Sequence, residues 1–266
     1  MPRIFTVLMS LSLGSLAIAA EPLPVEIIGH RGASWEAPEN TVAALNLAWE
    51  QGADGAEFDI YLTQDGKIVA CHDKDTKRTA GVSKVIAETS LDDLRKLDVG
   101  TWKNAKFAGE RIPTLEEMLA TIPAGKKVYI EVKCSTEIVP ELNRVLQTTR
   151  LKPTQTPVIC FNAEVVAAVK KLRPDLPAYW LVSLKEDTIV DSLIARAREI
   201  RADGLDLSAT ARLDQDFVTK IRGAGLRLDV WTVNDAAVAR RMIQIGIQGI
   251  TTDRPAWLRQ QLETSK

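Results

Sequence analysis

Gly55-Ala56-Glu57-Phe58-Asp59-Ile60-Tyr61-Leu62, running on through Thr63-Gln64-Asp65-Gly66-Lys67 to Ile68-Val69-Ala70-Cys71-His72, is the stretch on which the reading of the fold turns. Its first eight residues are apolar and strand-prone apart from two carboxylates. Asp65-Gly66 is the strongest short hairpin signal a sequence can carry, because a type I′ turn needs positive φ at both central residues. The chain should therefore run out along a strand and double back. If Asp65-Gly66 is the whole two-residue turn, Gln64 pairs with Lys67, and counting outward sets Asp59 opposite His72, about 5 Å away at Cβ. Glu57 and Asp59, two residues apart, must share a face.

Outward from this hairpin, short apolar runs alternate with amphipathic stretches. The strand candidates are Val25 to Gly29, Gly55 to Leu62, Val128 to Val132, Pro157 to Phe161, Ala178 to Ser183, Gly204 to Leu207, Leu226 to Thr232 and Gly249 to Thr252. Between them apolar residues recur at three and four, as in Val42, Leu45 and Trp49, in Ile189, Leu193 and Ala197, and in Val238, Met242 and Ile245. Eight strands, each followed by a helix, predict one (β/α)8 barrel; a doubly wound open sheet of this length would use fewer strands. Asp73 to Ile112 breaks the alternation. It has no clear strand and one short helix opened by Ser90, and it reads as an excursion over one end of the barrel. The regular pattern resumes at Pro113-Thr114, where Thr114 and Glu117 have capping-box spacing.

Composition narrows the partners. Among 266 residues, 34 Lys and Arg face 35 Asp and Glu, so there is no basic footprint for a nucleic-acid backbone, and a small-molecule substrate is expected. Residues 1–20 carry Arg3, an apolar run and then Ala17-Ile18-Ala19, the pattern of a secretory signal with its cleavage site; the remainder, 21–266, would be an exported barrel domain, periplasmic or secreted. No later stretch reaches the ~20 apolar residues a membrane span needs. Cys71, Cys134 and Cys160 lack Cys-x-x-Cys spacing and read as small buried side chains rather than a zinc site.

Barrel chemistry lies where strands end at their C-terminal side. Glu57 and Asp59 belong to the second strand, Glu131 and Lys133 share a face at the end of the next, and the first ends at His30-Arg31-Gly32. Several carboxylates among apolar residues call for a cationic partner. Three carboxylates without cysteine suit a hard, oxygen-seeking ion, Mg²⁺ or Ca²⁺. The chain's only two histidines, His30 and His72, both fall beside this acidic group. Asn40 and Asp253 are placed to cap the first and last helices, and Glu39 either orients Arg31 or is a first-turn acid. Trp35, Trp102 and Trp180 read as packing or rim residues.

His30-Arg31-Gly32, Pro38-Glu39-Asn40-Thr41, Glu57-Phe58-Asp59, His72-Asp73, Pro113-Thr114-Leu115, Glu131-Val132-Lys133, Trp231-Thr232-Val233-Asn234 and Thr252-Asp253-Arg254-Pro255 together resemble, in order and spacing, the glycerophosphodiester phosphodiesterase family. The resemblance runs from Ile27 to about Leu258. It implies a (β/α)8 barrel with a small insertion after the second strand's hairpin, where residues 73–112 fall. It further implies that Glu57, Asp59 and Glu131 hold one divalent cation, that His30 and His72 are the acid/base pair, that Arg31 and Lys133 neutralise the phosphate, and that Trp231 lines the pocket. The activity implied is hydrolysis of glycerophosphodiesters to glycerol 3-phosphate and an alcohol.

Three other readings make different demands. A lysophospholipase D-like enzyme needs an apolar groove on the excursion, for which Val82, Val85, Ile86 and Phe107 are the candidates. A non-catalytic phosphate-binding barrel needs neither histidine. A glycosidase needs carboxylates flanking a sugar from two sides, whereas Glu57 and Asp59 lie on one strand.

Overall fold

The computed structural model describes residues 25–264, so the expected signal segment lies outside the described residues. Its strands are β1 (Glu26–Gly29), β2 (Gly55–Leu62), β3 (Ile68–Ala70), β4 (Lys127–Val132), β5 (Val158–Cys160), β6 (Ala178–Val182), β7 (Gly204–Ser208), β8 (Arg227–Trp231) and β9 (Gly249–Thr252). β1 pairs in parallel with both β2 and β9, so the eight parallel strands close into a ring, and β3 lies antiparallel on β2. A helix follows each barrel strand, from Val42–Glu50 after β1 to Pro255–Glu263 after β9. This is the (β/α)8 barrel, with each strand within one residue of its expected bounds.

Side-chain alternation explains why these sequences close a barrel. Ala56, Phe58 and Ile60 of β2 and Val128, Ile130 and Val132 of β4 all enter the main core, between strands and helices. Their neighbours Glu57, Asp59, Tyr129 and Glu131 therefore turn into the barrel. The helices meet the strands with one stripe: in Val139–Thr148 the buried residues are Val139, Leu142, Val145 and Leu146, each contributing roughly 1.5–3 kcal/mol by burial. Inside the ring a smaller cluster of Ile28, Tyr129, Ile159, Tyr179 and Leu181 fills the axis beneath Trp231.

The hairpin register differs from expectation by one residue. Ile60 pairs with Ala70, Tyr61 with Val69 and Leu62 with Ile68, and the Thr63 N–H donates to the Lys67 carbonyl at 2.8 Å. The loop is thus three residues, Gln64-Asp65-Gly66, of which only Gly66 has positive φ (72°). Thr63 selects it: its hydroxyl donates to Asp65 Oδ1 at 2.7 Å and accepts the Lys67 N–H at 2.9 Å. Consequently Cys71, not His72, stands opposite Asp59, with its N–H on the Asp59 carbonyl at 3.1 Å. His72 reaches the barrel mouth because the ladder has ended at Ala70.

Residues 73–112 build short helices, Lys77–Ala80 and Leu91–Leu94, over a satellite core of Val69, Cys71, Ile86, Leu94, Val99 and Ile112. Ser90 accepts the Asp93 N–H as expected, and Thr114 and Glu117 form a complete capping box. Two cap assignments are corrected. Thr41 caps the first helix, accepting the Ala44 N–H at 3.1 Å, while Asn40 sits left-handed at φ 58°. The last helix has no side-chain cap, because Asp253 is turned toward His30. The three cysteines are free, two buried and Cys134 partly so. No helix among the described residues is long and apolar enough to cross a membrane.

Candidate active site

β2 and β4 pair with Asp59 beside Glu131, and Glu57 lies on the same inward face. One carboxylate oxygen from each of Glu57, Asp59 and Glu131 lies within 4.8 Å of the others, and all three residues are buried. Among the described residues Glu57 Oε1 and Asp59 Oδ1 have no hydrogen-bond partner. Burial and the neighbouring Asp59 charge push the Glu131 carboxyl up to about 7 despite Lys133, and burial, Asp59 and Glu131 drive Glu57 well above its ordinary range. Three converging carboxylates with orphaned oxygens fit a divalent cation, and oxygen-only donors fit Mg²⁺ or Ca²⁺.

Three of the remaining four oxygens are held by named partners. Glu57 Oε2 accepts the Arg31 N–H at 2.9 Å. Asn40 clamps Asp59 twice, donating from Nδ2 to Oδ2 and accepting the Asp59 N–H at its Oδ1, both at 2.9 Å. That clamp requires the left-handed turn at Asn40, which explains why this residue is not a cap. Lys133 Nζ lies 2.7 Å from Glu131 Oε1 and 3.5 Å from Asp59 Oδ1. Arg31 Nε is 3.3 Å from Asp59 Oδ2, near enough for charge pairing but not aligned for a hydrogen bond.

Each histidine is backed by a carboxylate. His30 Nδ1 is 2.6 Å from Asp253 Oδ1, and Asp253 also accepts from Ser34 Oγ at 3.1 Å and Asn234 Nδ2 at 2.6 Å. Burial opposes ionisation of Asp253, but the bonds from His30, Asn234 and Ser34 outweigh it and bring its pKa to about 2. His72 Nδ1 is 2.7 Å from Asp73 Oδ1, and the Arg78 hydrogen bond holds Asp73 at about 2. Ionised carboxylates can only accept, so in both rings Nδ1 carries the proton and Nε2 is left for chemistry. Arg78 continues to Glu39 at 2.7 and 2.8 Å, and Glu39 to Arg31 at 2.9 Å, so one chain of ion pairs joins the His72 side to Arg31. Glu39 thus orients Arg31.

These groups surround a cavity of about 200 Å³ at the C-terminal mouth. Its polar wall is His30, Arg31, Glu57, His72, Glu131 and Lys133; its other wall is Ile159, Phe161, Leu181, Asp206 and Trp231. Every residue expected at the site from sequence is here, Asp59 lying just beneath. A larger hollow of about 870 Å³ at the N-terminal face is lined by ion pairs such as Lys127–Glu26 and Arg259–Asp54 and brings no histidine together. Trp35 and Trp102 are exposed beside His30 and Arg31, on the rim. Of the apolar residues of the excursion, Ile86 is fully buried in the satellite core while Val82 is half exposed, so these two share no surface. Sequence reasoning missed Arg78, Asp206 and the backing roles of Asp73 and Asp253. Only Asp73 carried a local signal, as the acid next to a histidine.

A closed barrel whose C-terminal mouth sets two imidazoles, Arg31 and Lys133 around a carboxylate nest has the equipment of a barrel hydrolase acting on anionic esters. Within that class the chain belongs to the Glycerophosphoryl diester phosphodiesterase family, whose profile matches residues 30–257. It is 34% identical to a glycerophosphodiester phosphodiesterase of Caldanaerobacter subterraneus subsp. tengcongensis, covering 87% of this chain and 95% of that one. It is 31% identical to one of Bacillus subtilis over 92% and 93% of the two chains. Its fold superposes with a TM-score of 0.82 on an Oleispira antarctica phosphodiesterase solved in complex with the product sn-glycerol-3-phosphate, at 29% identity over 89% of this chain and 96% of that one. The chain is accordingly an enzyme, a phosphoric diester hydrolase.

Proposed function

We propose that the enzyme hydrolyses glycerophosphodiesters to sn-glycerol 3-phosphate and an alcohol, with Glu57, Asp59 and Glu131 holding one divalent cation, Mg²⁺ or Ca²⁺. The observation that carries this reading is the pairing of two carboxylate-backed histidines, His30 on Asp253 and His72 on Asp73, across one cavity that also holds the acidic triad. Charge supports it. With a dication bound and all three carboxylates ionised around it, Arg31 and Lys133 bring the site to one net positive charge, which a phosphodiester monoanion neutralises.

When bound, the cation offsets negative charge on the phosphoryl oxygens as it grows toward the transition state. Arg31, held by Glu39, and Lys133, held by Glu131, bind the non-bridging oxygens and fix the phosphorus between the imidazoles. One imidazole Nε2 accepts the proton of the attacking water, or of the glycerol 2-hydroxyl on a route whose cyclic phosphate water then opens, and the other, protonated, gives its proton to the departing alkoxide as its P–O bond breaks. Asp73 and Asp253 keep Nδ1 protonated and stabilise each ring when it is charged. Trp231 walls the organic side.

The test is direct detection of sn-glycerol 3-phosphate across a panel of glycerophosphodiesters. Release from several members, lost with chelator, is the expected result. Turnover confined to diesters without glycerol would refute the substrate class.

A further inference from the structure

Asp206 is the one carboxyl of the cavity that the chemistry above leaves unused. It lies in β7 between Leu205 and Leu207, both in the main core, so the alternation turns it into the barrel, where it lines the floor of the cavity. It is 2% exposed, and its Oδ1 has no hydrogen-bond partner among the described residues. Asp229 stands beside it in register on β8 and likewise has an unpaired Oδ1, but Arg227 Nε meets Asp229 Oδ2 at 2.8 Å, and of the two only Asp206 lines the cavity. Among the described residues Asp206 has no such cation.

A buried polar group left unsatisfied costs about 1–3 kcal/mol, more if charged, so its presence at a cavity floor needs a ligand to explain it. The surroundings say what kind. Ile159, Leu181 and Trp231 form apolar walls above Asp206, and the Trp231 indole N–H donates to the Asp206 carbonyl at 3.2 Å, which fixes the ring there. Phe161, 44% exposed, packs edge-on to Trp231 at the rim. The slot thus accepts a short carbon chain running inward from phosphorus and ending in a hydrogen-bond donor. Ionised or protonated, a carboxyl keeps an acceptor oxygen for it. The deep, closed end suits the part common to all substrates, while the varied alcohol faces the open rim.

We propose that Asp206 is a specificity-determining residue that accepts a hydrogen bond from the terminal (C1) hydroxyl of the substrate's glycerol. The assignment rests on the glycerophosphodiester reading above and adds to it the residue that recognises glycerol.

The experiment compares kcat/KM for glycerophosphoethanolamine, the same diester built on propane-1,2-diol, which lacks the C1 hydroxyl, and glycerophosphoethanol, which lacks the donor on the leaving alcohol. The native enzyme should lose about 10- to 100-fold on removal of the C1 hydroxyl, the range for leaving a buried acceptor without its partner. Asp206→Ala and Asp206→Leu should fall on the glycerol substrate yet treat it and the deoxy diester alike within about threefold. Asp206→Asn keeps an acceptor oxygen and should recover part of the discrimination. Thermal midpoints should be unchanged or higher in all three, since an unsatisfied buried acid is removed. Undiminished discrimination in the variants, coupling to the ethanolamine donor instead, or a large fall in thermal midpoint would each overturn the assignment. Turnover of glycerophosphodiesters by the native enzyme without coupling sinks this inference alone. No turnover of any of them sinks the proposed function and this assignment with it.

Discussion

Asp253 and Asp73 perform the same task on two different imidazoles, and the consequences are measurable one residue at a time. If both rings transfer protons, His30→Ala and His72→Ala should each lower kcat by roughly 10²–10⁴. Their losses should not add, because either removal already blocks the paired transfer. A diester with a good aryl leaving group should rescue the variant lacking the acid and not the one lacking the base. Equal losses on both substrates would mean neither ring is the acid. Asp253→Asn should act through His30, since an amide can donate to Nδ1 and so favour the tautomer with the proton on Nε2; a kcat loss of about 10²-fold or more, with KM little changed, is expected. The same residue has a stability signature. Its pKa is about 2 against an ordinary 3.8, so it stabilises the fold fully above that ordinary value, and the contribution disappears as pH falls through about 2. The stake is about 2 kcal/mol. Urea unfolding at pH 5 and pH 2.5 should show a shallower pH dependence for Asp253→Asn than for the native chain. Identical slopes would remove Asp253 from the account.

At the scale of elements, two loops show which features a sequence displays and which it hides. Glycine is needed at Gly66 only for its φ of 72°, since a methyl added there would meet nothing within 4 Å, so Gly66→Ala should cost about 1 kcal/mol and leave kcat intact. At Gly32, φ is 83° and a Cβ would stand 2.5–2.7 Å from Ala44 atoms of the first helix. Gly32→Ala should therefore cost about 2–4 kcal/mol and displace the adjoining His30-Arg31 pair, with most activity lost. Denaturant midpoints and kcat on the two variants decide this; equal effects would contradict it. The hairpin carries a related lesson. Asp65-Gly66 announced the turn, but the Thr63 hydroxyl, bonded to both Asp65 and Lys67, set its length. A side chain two residues before the signal thus moved the register by one, and Cys71 took the place expected for His72. Likewise Asn40 and Asp253 have the composition of caps, yet each is recruited by a residue far along the chain, Asp59 in one case and His30 in the other. Local propensity cannot register such a competitor.

Over the whole molecule, the barrel was legible because its signal is repeated eight times, so an error of one residue at any strand leaves the closure intact. The triad was legible because Glu57, Asp59 and Glu131 break otherwise apolar strands, a local contradiction visible without knowing the partner strand. Arg78 and Asp206 were not. Arg78 reaches Glu39 and Asp73 from a short helix in the excursion, and Asp206 stands out only because its Oδ1 has no partner among the described residues, which requires the packed barrel to see. Export is also a property of the whole chain, and we propose it on Ala17-Ile18-Ala19. Mass spectrometry of the native protein should find a mature start near Ala20 or Glu21, and an intact Met1 in the soluble fraction would count against it. The central claim is that the acidic triad holds a cation without which the ester is not cleaved. Its most direct measurement is turnover of glycerophosphoethanolamine by chelator-stripped enzyme as Mg²⁺ or Ca²⁺ is titrated back, with Glu131→Gln alongside. Activity absent after stripping and restored saturably, at a higher cation concentration for Glu131→Gln, is the result the account predicts; full turnover after exhaustive chelation would contradict it.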